Sequence, residues 1–123
     1  MALPVNHPIN DHIVAINWPD SSATTSCFGT FPFKGKIMKA FAVLQGQTIG
    51  TANNVLGLKV NGTACSTEAA WTQLTSGSAA GDIVTAIPTT NNVGDEGTLI
   101  EITSDGGGSN TCPTVVFLVL RAQ

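Results

Sequence analysis

The sequence has few of the charged residues on which most soluble domains depend. Only 11% of its 123 residues are charged, against about 25% in ordinary soluble domains, and eight acids and five bases leave a net charge of −3. This balance provides no positive field for nucleic acid, so we expect no nucleic-acid partner. We interpret the low charge as a surface largely occupied by partner molecules, because a free monomer with so few charges is poorly protected against association. A secreted, Thr/Ser-rich β domain would also be poor in charge.

Residues that carry chemistry are also scarce. Tyrosine is absent, and the two histidines, His7 and His12, lie in a proline-containing N-terminal stretch. No G-x-S-x-G pattern is present. Cys27, Cys65 and Cys112 are widely spaced, with no C-x-x-C and no neighbouring histidine, which argues against a zinc site. We expect free thiols, with one disulfide and a spare thiol as the alternative. We predict no enzyme, no cofactor and no bound metal.

The acids give little support for catalysis or cation binding. Glu101 lies in the middle of an apolar run, where a glycosidase carboxylate would fit, but no second mid-strand acid accompanies it. We therefore expect Glu101 to face solvent. A calcium site at Asp105 is a weak alternative, because the spacing of an EF-hand loop is missing. For Asp105 and most other acids we prefer a different role, in which they bond local backbone in turns; these acids are Asp20, Asp82, Asp95, Glu96 and Asp105.

Long apolar runs are missing as well. No stretch approaches the ~18 to 20 apolar residues of a membrane span, so we expect no membrane partner. The first residues lack a charged region followed by an apolar core, so we expect no secretory signal. These absences favour a protein made and used inside a cell or an assembling particle.

The last thirty residues are the most informative part of the chain. Two β-branched, apolar runs at residues 98–103 and 114–121 flank a stretch with three consecutive glycines, which predicts two strands joined by a loop. The second run is apolar on both faces: Val115, Phe117 and Val119 on one, Val116, Leu118 and Leu120 on the other. A strand that is apolar on both faces is predicted to be buried on both faces. In a small domain, the second face is often buried by another sheet or another subunit.

The remainder of the chain shows short strands separated by turn residues. Alternating or apolar runs predict strands at residues 25–33 (with a break), 37–45, 55–60, 63–67 and 82–87. A further short strand is predicted at residues 71–75, where a helical turn that starts at Glu68 is the alternative. Asn61-Gly62 is a strong hairpin signal, because both central positions of a type I′ turn need a positive φ. No helix of ten residues is expected. The pattern predicts an all-β protein, an antiparallel, jelly-roll-like β-sandwich.

The first twenty residues form a separate unit in this interpretation. We expect an extended arm at residues 1–20, with a short edge strand at 12–17, followed by the sandwich domain at 21–123. A frayed tail is the alternative. The arm carries apolar side chains that we expect to contact a partner: Leu3, Val5, Ile9, Ile13, Ile16 and Trp18. Deleting residues 1–20 is expected to weaken assembly and to leave the sandwich folded.

Four stretches together resemble a known family. They are KIMKAFAVLQ at 36–45, VLGLKVNGT at 55–63, GDIVTAIP at 81–88 and VGDEGTLIEITSDG at 93–106, followed by the final apolar strand. This succession resembles the small β-sandwich decoration (cement) proteins of tailed-bacteriophage heads. The resemblance implies a non-enzymatic virion protein on the outer capsid surface, a homotrimer whose partner is the major capsid protein. It does not account for the three cysteines or for Trp18 and Trp71.

Two other functions compete with that one. A carbohydrate-binding sandwich of a fibre, tail or cell-surface adhesin would need exposed aromatic side chains, and Trp18 and Trp71 are the only tryptophans. A hydrolase on a β scaffold would depend on Glu101 alone.

Overall fold

A computed structural model describes residues 11–46, 53–73, 78–108 and 110–123. These residues form ten β-strands and no helix. In particular, they contain no helix of the length and apolar character that crossing a membrane requires. The strands are β1 (Asp11–Trp18), β2 (Ser26–Thr30), β3 (Gly35–Leu44), β4 (Asn54–Val60), β5 (Thr63–Ala64), β6 (Trp71–Gln73), β7 (Ile83–Ala86), β8 (Val93–Gly94), β9 (Leu99–Ser104) and β10 (Thr114–Ala122).

The strands form two five-stranded antiparallel sheets. The first sheet has the order β1-β10-β3-β7, with β8 also paired to β3, and the second has the order β2-β9-β4-β5, with β6 also paired to β4. Strands β1 to β4 alternate between the sheets, and β9 and β10 return beside them. This is the strand order of a jelly roll. The predicted antiparallel all-β sandwich is confirmed.

The core lies between the two sheets and follows the two-residue period of the strands. In β10, Val116, Leu118 and Leu120 point inward and are fully buried, and Ile100 and Ile102 of β9 face them from the second sheet. Burying each such side chain stabilises the fold by roughly 1.5–3 kcal/mol before entropy is counted. The inward half of the last strand is thus covered by the second sheet.

The hairpin predicted at Asn61-Gly62 is present. Both residues have positive φ, 52° and 80°, and Val60 pairs with Thr63 across the turn. The returning strand β5 is only two residues long, shorter than the predicted strand at 63–67. Beyond β5, the Cys65 backbone N–H still donates to the Leu58 carbonyl at 2.8 Å, and the Ser66 backbone N–H donates instead to Thr90 Oγ1 at 3.1 Å.

Part of the predicted arm belongs to the sandwich. Residues 11–18 form β1, an edge strand of the first sheet paired with β10 along its whole length. Ile16 and Trp18 are buried in the core, and Trp18 Nε1 donates to Thr25 Oγ1 at 3.0 Å. Because these two side chains belong to the core, we do not expect a chain lacking residues 1–20 to stay folded. Any test of an arm must be limited to residues 1–10.

The remaining arm residues have different positions. Ile13 is 60% exposed on the outer face of the first sheet. Leu3, Val5 and Ile9 lie outside the described residues. A partner-binding role for these four side chains, and the division of the chain into arm and domain, remain predictions.

Candidate functional site

The outer face of the first sheet is apolar. Strand alternation places Val115, Phe117 and Val119 of β10 on this face, each half-buried. Phe117 lies beside Ala15 of β1 and Phe41 of β3 in the strand register. The strand predicted to need cover on both sides therefore has the second sheet on one side only.

A groove crosses this face, and we call it the apolar groove. It has a volume of about 440 Å³ and is lined by Ile13, Phe41, Val43, Ile83 and Phe117. Ile13 and Ile83 are each 60% exposed, which is unusual for isoleucine in a monomeric domain. Exposed apolar side chains that adjoin one another are a feature that interaction sites share.

Charges border the apolar groove at the end of the sheet where β1 begins. The Arg121 guanidinium donates to both carboxylate oxygens of Asp11, through Nε at 2.7 Å and Nη2 at 3.0 Å. Hydrogen bonding from Arg121 holds the pKa of Asp11 below its ordinary value. Lys36 pairs with Arg121 in the register, and Lys39 Nζ lies 5.6 Å from the centroid of the Phe41 ring. The two bonds from Arg121 hold Asp11, the first residue of β1, in position at this border.

The outer face of the second sheet is more polar. Glu101 lies there, half-buried, between Phe28 of β2 and Lys59 of β4 in the register, and its Oε2 accepts a 2.7 Å bond from Ser26 Oγ. No second carboxylate is paired with it in this register. The described residues contain no group of three or more His, Cys, Asp or Glu side chains that could hold a metal. Phe28, Val55 and Leu99 are exposed apolar side chains of the second sheet.

A cluster of buried polar side chains closes one end of the sandwich. Asn54 is fully buried, and its Nδ2 donates to Gln73 Oε1 at 2.7 Å and to the Ser21 carbonyl. Asn54 Oδ1 accepts from Ser104 Oγ at 2.8 Å and from the Gly107 backbone N–H at 2.9 Å. All buried side-chain polar atoms of the described residues have partners. We assign the cluster a structural role, because it ties β4, β6, β9 and the glycine-rich loop together.

The acids near this end bond backbone groups. Asp20 Oδ1 accepts from the backbone N–H groups of Ser22 and Cys112, both at 3.0 Å. Burial alone would raise the pKa of Asp20, but these bonds and that of the Ser22 hydroxyl outweigh it and lower the pKa. Asp105 Oδ1 accepts from the N–H groups of Val55 and Gly107, again at 3.0 Å. The backbone-bonding role predicted for Asp20 is confirmed, and Asp105 does the same.

The three thiols are free in the structure. Burial raises the pKa of Cys27 to about 12 and also raises the pKa of Cys112. Cys65 is only half-buried, and burial raises its pKa as well. A raised pKa keeps a thiol protonated and a poor nucleophile, so the cysteines do not form a reactive site.

The two tryptophans are both buried. Trp71 is 2% exposed, like Trp18, and its Nε1 donates to the Val84 carbonyl at 3.1 Å. Neither indole presents a face on which a sugar ring can stack. The carbohydrate-binding alternative therefore loses the side chains on which it depended.

The site that emerges differs from the one expected from the sequence. Of the three predicted contact residues that the structure describes, Ile13 lines the apolar groove, and Ile16 and Trp18 do not. Phe41, Val43, Ile83 and Phe117 complete it, and the sequence did not single them out as a site. The two-faced apolar pattern of β10 was the signal that pointed to this face.

Comparison with known proteins adds a likeness of fold. No protein-family model matches the chain, and no curated protein sequence matches it. Among solved structures, a chain of the structure described as "Cyanophage Pam1 capsid asymmetric unit" is similar, with a TM-score of 0.55 and 14% sequence identity. The likeness covers 100% of this chain and 93% of that chain. At this identity the likeness shows the fold alone.

Proposed function

We propose that this chain is a structural, non-enzymatic decoration (cement) protein of a phage capsid. In this proposal it binds the outer surface of the expanded head, where the major capsid protein is its partner, and it stabilises contacts between coat subunits. It acts as a homotrimer in the virion. The observation that carries the proposal is the apolar outer face of the first sheet, with Ile13 and Ile83 each 60% exposed.

The contrast between the two sheets supports an assembly role. The apolar groove crosses the outer face of the first sheet, whereas the outer face of the second sheet mixes the exposed apolar side chains Phe28, Val55 and Leu99 with polar ones such as Glu101. The first sheet therefore offers the surface that is better suited to pack against a partner. A stable interface of this kind buries about 1,200–2,000 Å² in total, which fits the face of a five-stranded sheet.

The fold supports a capsid setting in particular. The similar structure is described as a capsid asymmetric unit, and the likeness spans this whole chain. The described residues also offer no reactive thiol and no cluster of metal ligands. A structural role requires neither, whereas an enzyme needs tuned groups in a pocket.

The proposal is tested by adding the purified chain to expanded heads assembled from the coat protein of the same source. We expect saturable co-sedimentation at a fixed ratio to coat subunits, and heads that disrupt at a higher temperature once bound. The Asn54→Ala variant, which the Discussion predicts to be less stable, is the control: between its own unfolding temperature and that of the native chain it should not bind. Heads that neither retain the native chain nor gain stability from it would contradict the proposal.

A further inference from the structure

We propose that residues 1–10 of one copy dock in the apolar groove of a neighbouring copy. Each copy would then donate one segment and accept another across the outer face of the first sheet. The inference deepens the homo-oligomeric part of the proposed function and rests on that part alone, not on capsid binding.

The sequence of the segment suits an apolar face. In an extended chain successive side chains alternate between two faces, so Leu3, Val5 and Ile9 would share one face. Pro4 and Pro8 fall at the intervening positions and offer no backbone donor there. The segment can therefore present one apolar face to the groove, with its prolines on the face that points away.

Charge also matches between the segment and the groove. Residues 1–10 contain no Asp, Glu, Lys or Arg, and all five side chains lining the groove are apolar. The first charged residue of the chain, Asp11, is already bonded to Arg121 at the border of the sheet. The uncharged segment therefore ends at the residue before the Asp11–Arg121 ion pair.

The direction of the chain favours a neighbouring copy over the same copy. Strand β1 runs from Asp11 into the sheet, so a segment that continued in line with β1 would extend away from its own groove, beyond the Asp11–Arg121 ion pair. To reach its own groove, the segment would have to reverse direction over the outer face within the few residues before Asp11. Ten extended residues reach up to about 33 Å, more than the roughly 14 Å across four strands.

Exchange of this kind predicts a closed assembly. The donated segment and the accepting groove are different surfaces, so the contact is head-to-tail. Head-to-tail contacts generate a ring when the rotation between copies closes, and three copies would give the proposed trimer.

A photo-crosslinking experiment on the full chain tests the inference directly. p-Benzoylphenylalanine replaces Val5 in one preparation and, as a matched control, Asn6 in another. Each is prepared in unlabelled and ¹⁵N-labelled form, the two forms are mixed and irradiated, and cross-linked peptides are identified by mass. We expect the position-5 probe to join peptides containing Phe117 or Ile83, with mixed labels, and the position-6 probe to give far fewer such products.

Substitutions give an independent measure through sedimentation-velocity mass. Val5→Asp should raise the dissociation constant of the oligomer by roughly tenfold or more, whereas Asn6→Asp, with the same added charge, should have little effect. On the accepting side, Ile83→Asp should act like Val5→Asp. Leu99→Asp, at another exposed apolar residue but on the second sheet, should not. Each of the four substitutions adds one negative charge to the full chain, and the melting temperature of each variant shows whether it is folded.

The outcomes separate this inference from the proposed function. Cross-links within single copies, cross-links to the second sheet, or a monomer that Val5→Asp leaves unchanged would overturn the exchange. Loss of head binding in Ile83→Asp without any change in oligomer mass would make the coat protein the occupant of the groove, which also overturns it. A monomer that still binds heads refutes the exchange and the homotrimer but not the capsid role, whereas an oligomer that does not bind heads refutes only the capsid role.

Discussion

Replacing Asn54 with alanine is expected to lower the free energy of unfolding by about 3–5 kcal/mol. The fully buried Asn54 amide bonds Ser21, Gln73, Ser104 and the Gly107 backbone. Alanine removes all four bonds and leaves the buried partners without their full set of bonds, in addition to a cavity. Since small domains have only about 5–15 kcal/mol of stability, this loss is a large share of the total, and the variant should unfold at a clearly lower temperature than the native chain.

Chemical denaturation of the purified variant measures this loss. Asn17→Ala is the matched control, because Asn17 is an exposed residue of β1, and it should change stability by no more than about 0.5 kcal/mol. If Asn54→Ala were as stable as Asn17→Ala, the polar cluster would not hold this end of the sandwich together.

Replacing Gly107 with alanine is expected to cost about 2–4 kcal/mol. A Cβ at this position would lie 2.1 Å from the carbonyl oxygen of Asn53 and 3.1 Å from Asn54 Cα. Both are backbone atoms, so the glycine-rich loop and the start of β4 must move apart. That movement also lengthens the 2.9 Å bond from Gly107 N–H to Asn54 Oδ1.

Gly57→Ala provides the control for this substitution. A Cβ there would lie 2.6 Å from Thr103 Oγ1, the end of a side chain that can rotate away. We expect a change within about 1 kcal/mol, measured by the same denaturation. If both variants lost the same free energy of unfolding, the close approach of the glycine-rich loop to β4 would not explain the loss in Gly107→Ala.

Local patterns predicted most of the strands and the sandwich. The alternation at residues 98–103 and the apolar run at 114–121 became β9 and β10, and the turn at Asn61-Gly62 formed as expected. These features depend on residues that are close together in sequence, so local sequence patterns are enough to predict them. The short strand Val93–Gly94 was not among the predicted strands, because only its pairing with the distant residues Gly35 and Lys36 defines it.

Long-range features were not predictable in the same way. The apolar pattern of residues 12–18 did not reveal that Ile16 and Trp18 enter the core while Ile13 faces outward, because both faces of the strand are apolar. The polar cluster joins Ser21 to Gln73, which lie 52 residues apart in sequence. The apolar groove likewise combines four strands, and only the folded sheet brings their side chains together.

Copy number in purified particles is the most direct test of the structural capsid role. The chain is quantified against the major coat protein by mass spectrometry with isotope-labelled standards. We predict one copy per coat subunit, or one per few coat subunits, as a protein that covers the head requires. A handful of copies per particle would place the chain at a fibre or tail tip instead, and its absence from particles would contradict a capsid role altogether.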